Sequence, residues 1–406
     1  MADWAVIADD FTGAMDTGLQ FAKSGLSTVF DLGGASGDYD ALVLSSNSRS
    51  LDPGSARSAT RDVAERAVSL GARVYKKIDS TLRGNIGPEL EVVLQAAGVR
   101  GMVIAPAFPA QGRSTVGGTQ FLRGVPVSRT EASRDPVAPV TEDHLPTLLE
   151  STSTLRAGHV ALDAVRSTPG KLASRLTKLS EDGSRIIVAD AETDSDLNTI
   201  AAAIKLARMD KLSAGSAGLA ERLVEAPATA APTPPGASAA HRVVLAGSFS
   251  QVTRRQVDYA ARQLGAAVYS PSDSDLTNPA LAVAHATENL QAGKTWIGFA
   301  GHRGRPLQRQ SDVDALNRWL GDVCCVLEER FSRLGLVLTG GETGAICLER
   351  IHAGAIEIRD EVQSGIAGGV LLGGPFDQRL VVTKAGAFGN DDALVESVSW
   401  LAQGTR

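Results

Sequence analysis

Several residue types are scarce in this chain of 406 residues. Tryptophan and tyrosine occur four times each and cysteine three times. The cysteines are Cys324, Cys325 and Cys347; an adjacent pair and an odd total make neither a disulfide framework nor a zinc pattern, so a reducing, cytoplasmic setting is expected. Positive charge is not in excess. A net charge of −6 argues against a general nucleic-acid binder, and an anionic ligand would have to be met by a local cluster of Arg, Lys and backbone N–H groups. No apolar run is long enough to span a bilayer, and no basic segment followed by a long apolar stretch opens the chain, so neither a membrane span nor a signal peptide is expected. Two nucleotide fingerprints are also missing. Gly293-Lys294-Thr295 resembles the end of a P-loop, but Glu288 stands where that motif needs glycine, and the triplet precedes an apolar run instead of following one. No strand is followed by Gly-x-Gly-x-x-Gly with a well-placed downstream acid, which disfavours hydride transfer.

What is present is a repeated alternation. Short apolar runs at Trp4–Ala8, Ser27–Phe30, Ala41–Leu44, Arg73–Tyr75, Met102–Ala105 and Ile186–Ala189 are separated by helical patterns, notably Gly54–Leu70, Pro88–Ala97 and Gly170–Leu179. This reads as βαβ units on a mostly parallel sheet. The stretch from Pro106 to Pro139 is rich in Gly, Pro and Arg, has little periodicity and reads as a long functional or disordered loop. Residues 226–240 carry no charge and no large apolar side chain but several prolines, and they read as a linker. Beyond them the alternation resumes at Val243–Ala246, Ala267–Tyr269, Trp296–Phe299, Leu336–Leu338 and Leu380–Val382. The expected architecture is α/β: two α/β domains, 1–225 and 241–406, with mostly parallel sheets and an active-site cleft between them.

The first candidate site is Asp9-Asp10, where an apolar run stops at two carboxylates before a small-residue turn and a helical pattern. That is the strand end at which open α/β sheets bind ligands. If the strand continued through both, their side chains would point to opposite faces, one towards a ligand and one bracing the turn. The second is Lys76-Lys77-Ile78-Asp79-Ser80-Thr81-Leu82-Arg83-Gly84-Asn85, with Pro88 suited to an early helical position. Its cations, carboxylate, hydroxyls and amide are the inventory for holding a small polyhydroxy acid. Arg113, in the long loop, is a second candidate anion contact. In the rear half three glycine clusters follow apolar runs: Gly247-Ser248-Phe249-Ser250, Thr339-Gly340-Gly341-Glu342-Thr343-Gly344 and Lys384-Ala385-Gly386-Ala387-Phe388-Gly389. Glycines let backbone N–H groups approach phosphates closely, so three such turns in one domain point to a nucleotide or another polyphosphate. A haloacid-dehalogenase-like phosphatase is a minor alternative. It needs a second acid two residues after its nucleophile, and here Phe11 and Thr12 stand at those places.

Together these segments resemble the four-carbon acid sugar kinase family over nearly the whole chain. The resemblance is carried by Ala8 to Ala14, Lys77 to Asn85, Pro106-Ala107-Phe108-Pro109 with Gly112-Arg113, Asp135-Pro136, Gly215 to Leu219, Gly247-Ser248, Gly340 to Thr343 and Lys384 to Gly389. It implies a front domain that binds a sugar acid, a rear domain that binds ATP, and phosphorylation of the terminal C4 hydroxyl of a four-carbon acid. D-threonate or D-erythronate is favoured, with 3-oxo-tetronate or a related branched sugar acid as the alternative. It places nucleotide contacts on Ser248, Gly340 to Thr343 and Gly386, to which Lys384 and Gly389 are added from the same glycine turn. Two segments depart from the family pattern: Lys384-Ala385-Gly386-Ala387 lacks the usual serine, and Gly365-Ile366-Ala367 stands for the usual Gly-Val-Pro. On this reading Arg83, helped by Arg113 or Lys77, holds the substrate carboxylate. Asp9, Ser80 and Asn85 contribute further polar contacts. Asp10 binds hydroxyls and accepts the proton, with Asp79 as the rival base. Mg2+ bridges the phosphates with few protein ligands, and no protein ligand to it is assigned. No nucleic-acid or membrane partner is expected, and a homodimer is allowed. A sugar-acid sensor that binds no ATP is the rival from another class.

Overall fold

The computed structural model describes residues 2–135, 138–224, 238–300 and 310–404. The linker expected at 226–240 lies almost wholly outside them, as does Pro136. The chain separates into two compact units, and the division is not sequential: residues 1–26 and 38–228 form one, residues 27–37 and 229–406 the other.

The first unit is built on a seven-stranded parallel sheet. Its order is Ala41–Ser45 (β3), Trp4–Ala8 (β1), Arg73–Lys77 (β4), Leu212–Gly215 (β11), Met102–Ala105 (β5), Ile186–Ala189 (β10) and Ala157–Val160 (β9). β1 is Trp-Ala-Val-Ile-Ala and is buried at every position, as an inner parallel strand covered on both faces must be. The chain leaves β1 towards β3 on one side and returns as β4 on the other, so the order reverses at β1 and β4. In open α/β sheets ligands bind at such a reversal, beyond the strands' C-terminal ends. The helices start where the pattern places them. Asp52 caps Pro53–Ser69 by accepting from Gly54 N and Ser55 N, and Pro53 stands at the first position, where its missing N–H costs nothing.

The stretch from Pro106 to Pro139 is not a structureless loop. It holds a small antiparallel sheet of Arg113–Val116 (β6), Thr119–Leu122 (β7) and Val125–Pro126 (β8). Pairings of four and of two residues leave too short a pattern to read from sequence. Buried Asp190, at the end of β10, fixes the hairpin tip by accepting from Gly117 N at 2.7 Å and Gly118 N at 2.9 Å.

The second unit has an eight-stranded mixed sheet. Its order is Ala267–Tyr269 (β13), Trp296–Phe299 (β14), His241–Ala246 (β12), Leu334–Thr339 (β15), Leu380–Lys384 (β18), Ile366–Leu372 (β17), Ala355–Gln363 (β16) and Thr28–Asp31 (β2). β13 to β18 along this order run parallel, and β17, β16 and β2 are added antiparallel. β2 is contributed by residues 27–37, far in sequence from the rest. Val244, Phe299, Val337, Val382, Leu394 and Trp400 are among the core residues that pack this sheet against its helices.

Candidate active site

Strand register brings the front-half segments together. Ala8 pairs with Ser45 across β1 and β3, and Ile7 with Lys76 across β1 and β4, so Asp9, Ser46 and Ile78 leave three adjacent strands at one level, just past Lys77 at the end of β4. The strand stops at Ala8, which removes the alternation that would separate the two aspartates. Both instead meet Arg49. Its Nε donates to Asp9 Oδ2 at 2.7 Å and its Nη2 to Asp9 Oδ1 at 3.0 Å. Its Nη1 and Nη2 donate to Asp10 Oδ2 and Oδ1 at 2.6 and 2.8 Å. Asp10 is also the N-cap of the helix Phe11–Lys23, accepting from Gly13 N at 2.8 Å. Burial alone would raise the Asp9 pKa, but the charge of Arg49, with Lys76 and Lys77 behind it, lowers it. Arg49 belongs to no motif named from the sequence. Its signal is positional: it follows β3, whose end lies beside the end of β1.

Beneath this fork lies a buried pair, Lys76 Nζ to Glu89 Oε2 at 2.7 Å. Ser48 Oγ donates to the other Glu89 oxygen at 2.7 Å and Ser46 Oγ lies 2.7 Å from Ser48 Oγ, which ties the β3 turn to the floor of the site. Burial raises the Glu89 pKa against the pull of Lys76. Asp79 accepts from Thr81 Oγ1 at 2.5 Å and from Arg83 Nε and Nη2 at 3.0 and 3.1 Å, and Arg49 Nη2 stands 3.7 Å from it. Burial opposes its charge, yet Arg83 and Arg49 hold its pKa well below the carboxylate range. Arg83 also reaches Asp135 at 3.4 Å. Lys77 is 5% exposed, and no carboxylate pairs with it among the described residues; its Nζ overlooks Gly13, where a Cβ would sit 3.1 Å away.

The other front-half candidates are more peripheral. Asn85 donates to Ser48 O at 3.0 Å and Leu51 O at 2.9 Å, bracing the loop that carries Arg49. The Ser80 carbonyl accepts from buried Gln120 at 2.8 Å. Arg113 donates to Gln111 O at 2.6 Å, its Nε is buried without a partner, and burial lowers its pKa. The Gly215 to Leu219 segment is structural: Tyr75 Oη donates to Ser216 O at 2.5 Å, and a Cβ on Gly215 would overlap Ala105 O.

In the second unit Ala246, Thr339 and Lys384 are in register on β12, β15 and β18, so Gly247, Gly340 and Ala385 leave the sheet side by side. The three glycine clusters are therefore one site. Gly340, at φ +106, leads into the helix Gly341–Arg350, which places Gly341, Glu342 and Thr343 in its first turn. A Cβ on Gly386 would overlap Ser248 Oγ, and one on Gly247 would overlap Thr343 Oγ1. The polar side chains hold backbone. Lys384 Nζ donates to the carbonyls of Ala385, Gly386 and Phe388 at 2.9, 3.3 and 3.1 Å, and burial lowers its pKa to about 7. Ser250 and Thr253 hydroxyls donate to Gly386 O at 2.6 and 2.8 Å. Gln256, which the sequence did not single out, donates to the carbonyls of Phe388, Gly389 and Asn390. The 385–389 turn is thus held by its carbonyls, with glycine where Ser248 and Ala393 approach too closely for a side chain.

Residues 4–223 match the family model described as a sugar-binding N-terminal domain, and residues 243–394 match one described as a nucleotide-binding C-terminal domain. Such a pair defines a two-domain sugar kinase. D-threonate kinases of Bordetella bronchiseptica and Salmonella typhimurium are 32% and 34% identical to this chain, over 97% and 98% of it and 96% and 98% of their own lengths. A D-erythronate kinase of Heliobacterium modesticaldum is 28% identical over 99% of this chain and 97% of its own. A solved structure from Salmonella typhimurium shares the fold, with a TM-score of 0.82 at 24% identity, covering 97% of this chain and 98% of the other. The chain belongs to the four-carbon acid sugar kinase family, and it is a sugar-acid kinase. Among the described residues no helix is long and apolar enough to cross a membrane.

Proposed function

We propose that the enzyme phosphorylates the terminal C4 hydroxyl of D-threonate or D-erythronate, using ATP with Mg2+. The observation that carries this is the cluster of Asp9, Asp10, Arg49, Lys77, Asp79 and Arg83 at the sheet reversal of the first unit, a set that pairs acceptors for hydroxyls with cations for a carboxylate. The names of the full-length relatives give the acid its length. The first unit then holds the acid and the second the nucleotide. Asp10, the more exposed of the two aspartates on Arg49, orients the hydroxyls and receives the proton of the attacking one. Lys77 and Arg113, which form no ion pair among the described residues, gather the anion together with Arg49.

The glycine turns of the second unit suit a nucleotide, because three of them leave adjacent strand ends and glycine lets the backbone come close to Ser248 and Thr343 there. Bound there, ATP supplies the phosphoryl group. The backbone of 340–343 and 386, together with Ser248, would hold its phosphates. Among the described residues no cluster of His, Cys, Asp or Glu is built to hold a metal. Mg2+ would come with the nucleotide, carried mainly by its phosphate oxygens.

An ADP-release assay over the threonates, erythronates and 3-oxo-tetronates tests this reading. Turnover of D-threonate or D-erythronate above the others is the expected result. Preference for 3-oxo-tetronate would move the substrate to the alternative, and no turnover of any four-carbon acid would refute the assignment.

A further inference from the structure

Asp10 has no lone pair to spare. Its Oδ1 accepts from Gly13 N at 2.8 Å and Arg49 Nη2 at 2.8 Å, and its Oδ2 from Thr12 Oγ1 at 2.7 Å and Arg49 Nη1 at 2.6 Å. An ionised carboxylate offers about four acceptor sites, so all are filled. In that state it can neither bind a hydroxyl nor take its proton. Gly13 N and Thr12 Oγ1 come from the first helical turn and stay with it. The remaining donors belong to one guanidinium, so Arg49 is the part that can be removed.

Arg49 also faces open space. It lines a cavity of about 220 Å3 with Leu51, Leu82, Gly84, Asn85 and Glu142. Glu142 is turned back on His144 N at 2.8 Å, which leaves Arg49 as the cation an entering acid meets there. The Arg49 stem is pinned, because Gly84 packs so close that a Cβ there would come within 3.3 Å of Arg49 Cγ and 3.2 Å of Asp9 Oδ2. Its grip on Asp9 uses Nε and Nη2, and Nη2 also serves Asp10 Oδ1, so in this rigid fork the bond from Nη1 to Asp10 Oδ2 is the one that can change partner while Asp9 stays held.

We propose that Arg49 is a positioning residue that masks Asp10 until the substrate's own carboxylate takes Asp10's place on its Nη1. Arg49 keeps Asp9, and Nη1 passes from Asp10 Oδ2 to the incoming acid. No covalent bond changes in this step; one carboxylate replaces another on the same cation, and Asp10 gains an open lone pair for the hydroxyl. The acid group of the substrate thereby becomes a condition for turnover and not only a handle for binding. This rests on the reading above that Asp10 receives the proton.

The test compares the sugar acid with the tetritol of matching stereochemistry, which has every hydroxyl but no carboxylate, using the full-length enzyme with and without acetate. Wild type is expected to phosphorylate the tetritol slowly and to do so about tenfold faster when acetate is added, the scale of exchanging a charge-assisted hydrogen bond. Arg49→Gln should abolish the acetate effect, raise KM for the sugar acid about tenfold and shrink the kcat ratio of acid to tetritol by a similar factor. Arg49→Lys, which keeps the charge without the fork, should fall between. Arg49→Gln leaves buried Asp9 unpaired and risks the fold, so the wild-type acetate measurement stands by itself. A wild type that turns over the acid while acetate leaves the tetritol rate unchanged overturns the exchange. Near-normal turnover by Asp10→Asn overturns the role of Asp10 beneath it, and with it the mask.

Discussion

At the strand ends of the first unit, charged side chains hold one another: Arg49 on Asp9 and Asp10, Arg83 on Asp79, Lys76 on Glu89. At the strand ends of the second, polar side chains hold backbone: Lys384, Ser250, Thr253 and Gln256 all donate to carbonyls between Ala385 and Asn390. Both are C-terminal edges of mostly parallel sheets at a reversal of strand order, so architecture does not set them apart. What differs is the surface offered. The first region offers functional groups that reach out on side chains. The second offers main-chain N–H groups, with its side chains acting as staples behind them. The first should therefore be sensitive to which atoms a side chain carries, and the second to whether a side chain is there at all.

The largest expected effect lies on the first side of this contrast. Asp10→Asn should lower kcat by about 10²- to 10⁴-fold and cost about 1–3 kcal/mol of stability, since it removes a proton acceptor and turns an amide donor on donors that Asp10 now accepts from. Steady-state kinetics and a melting curve on the same sample check this. Next comes the second side. Gly386→Ala places a methyl against Ser248 Oγ and should raise KM for ATP about tenfold or more while KM for the sugar acid stays put. Ser248→Ala should cost less than Gly386→Ala. The opposite order would show that the hydroxyl matters more than the backbone, and the contrast would fail.

Acid and base should separate the regions too. The Lys384 pKa in the folded chain, about 7, lies below the free value of 10.5. The unfolded chain therefore binds more protons between those values, and stability rises with pH across that window, by up to ~5 kcal/mol for this group. Below about pH 7 the penalty is present in full. Urea melts from pH 6 to 10 should show this slope in wild type and lose it in Lys384→Met. Asp79 carries the reverse sign. Its pKa is held low, so its contribution is complete above the free carboxylate value of 3.8 and is lost as pH falls through the folded value. Asp79→Asn should flatten that acid limb. The smallest effect is expected at a pair outside both regions. Arg255 and Asp391 lie 3.2 Å apart and are each 58% exposed, so Asp391→Ala should change stability by ~0.5 kcal/mol or less.

Much of this was legible in the sequence. β1, β5, β10 and β14 are buried apolar runs bounded by turn residues, which is how an inner parallel strand reads. Others were not. β11 is Leu-Ser-Ala-Gly and β9 is Ala-Gly-His-Val, too short and too small to stand out from loop. The aspartates, Lys77, Arg83 and the glycine turns stood out because their residue types are costly or unusual at strand ends. Arg49 did not, since it follows Ser46-Asn47-Ser48, which looks like any polar turn; only the β1–β3 register shows that it reaches Asp9. Lys384 stood out in the sequence for its neighbours alone. A lysine beside glycines suggests a phosphate contact, whereas its ammonium lies under the turn on three carbonyls.

The contribution of residues 27–37 to the sheet of the second unit bears on how this protein is made and how it can be cut. A ribosome delivers β2 long before β16, so an early strand of the nascent chain waits for its antiparallel partner roughly three hundred residues downstream. Severing the gene near residue 225 would give a front fragment with a stray strand and a rear fragment whose β16 has lost its outer neighbour, a sticky edge in solution. Halves intended to be soluble would have to move that short segment across with the rear portion.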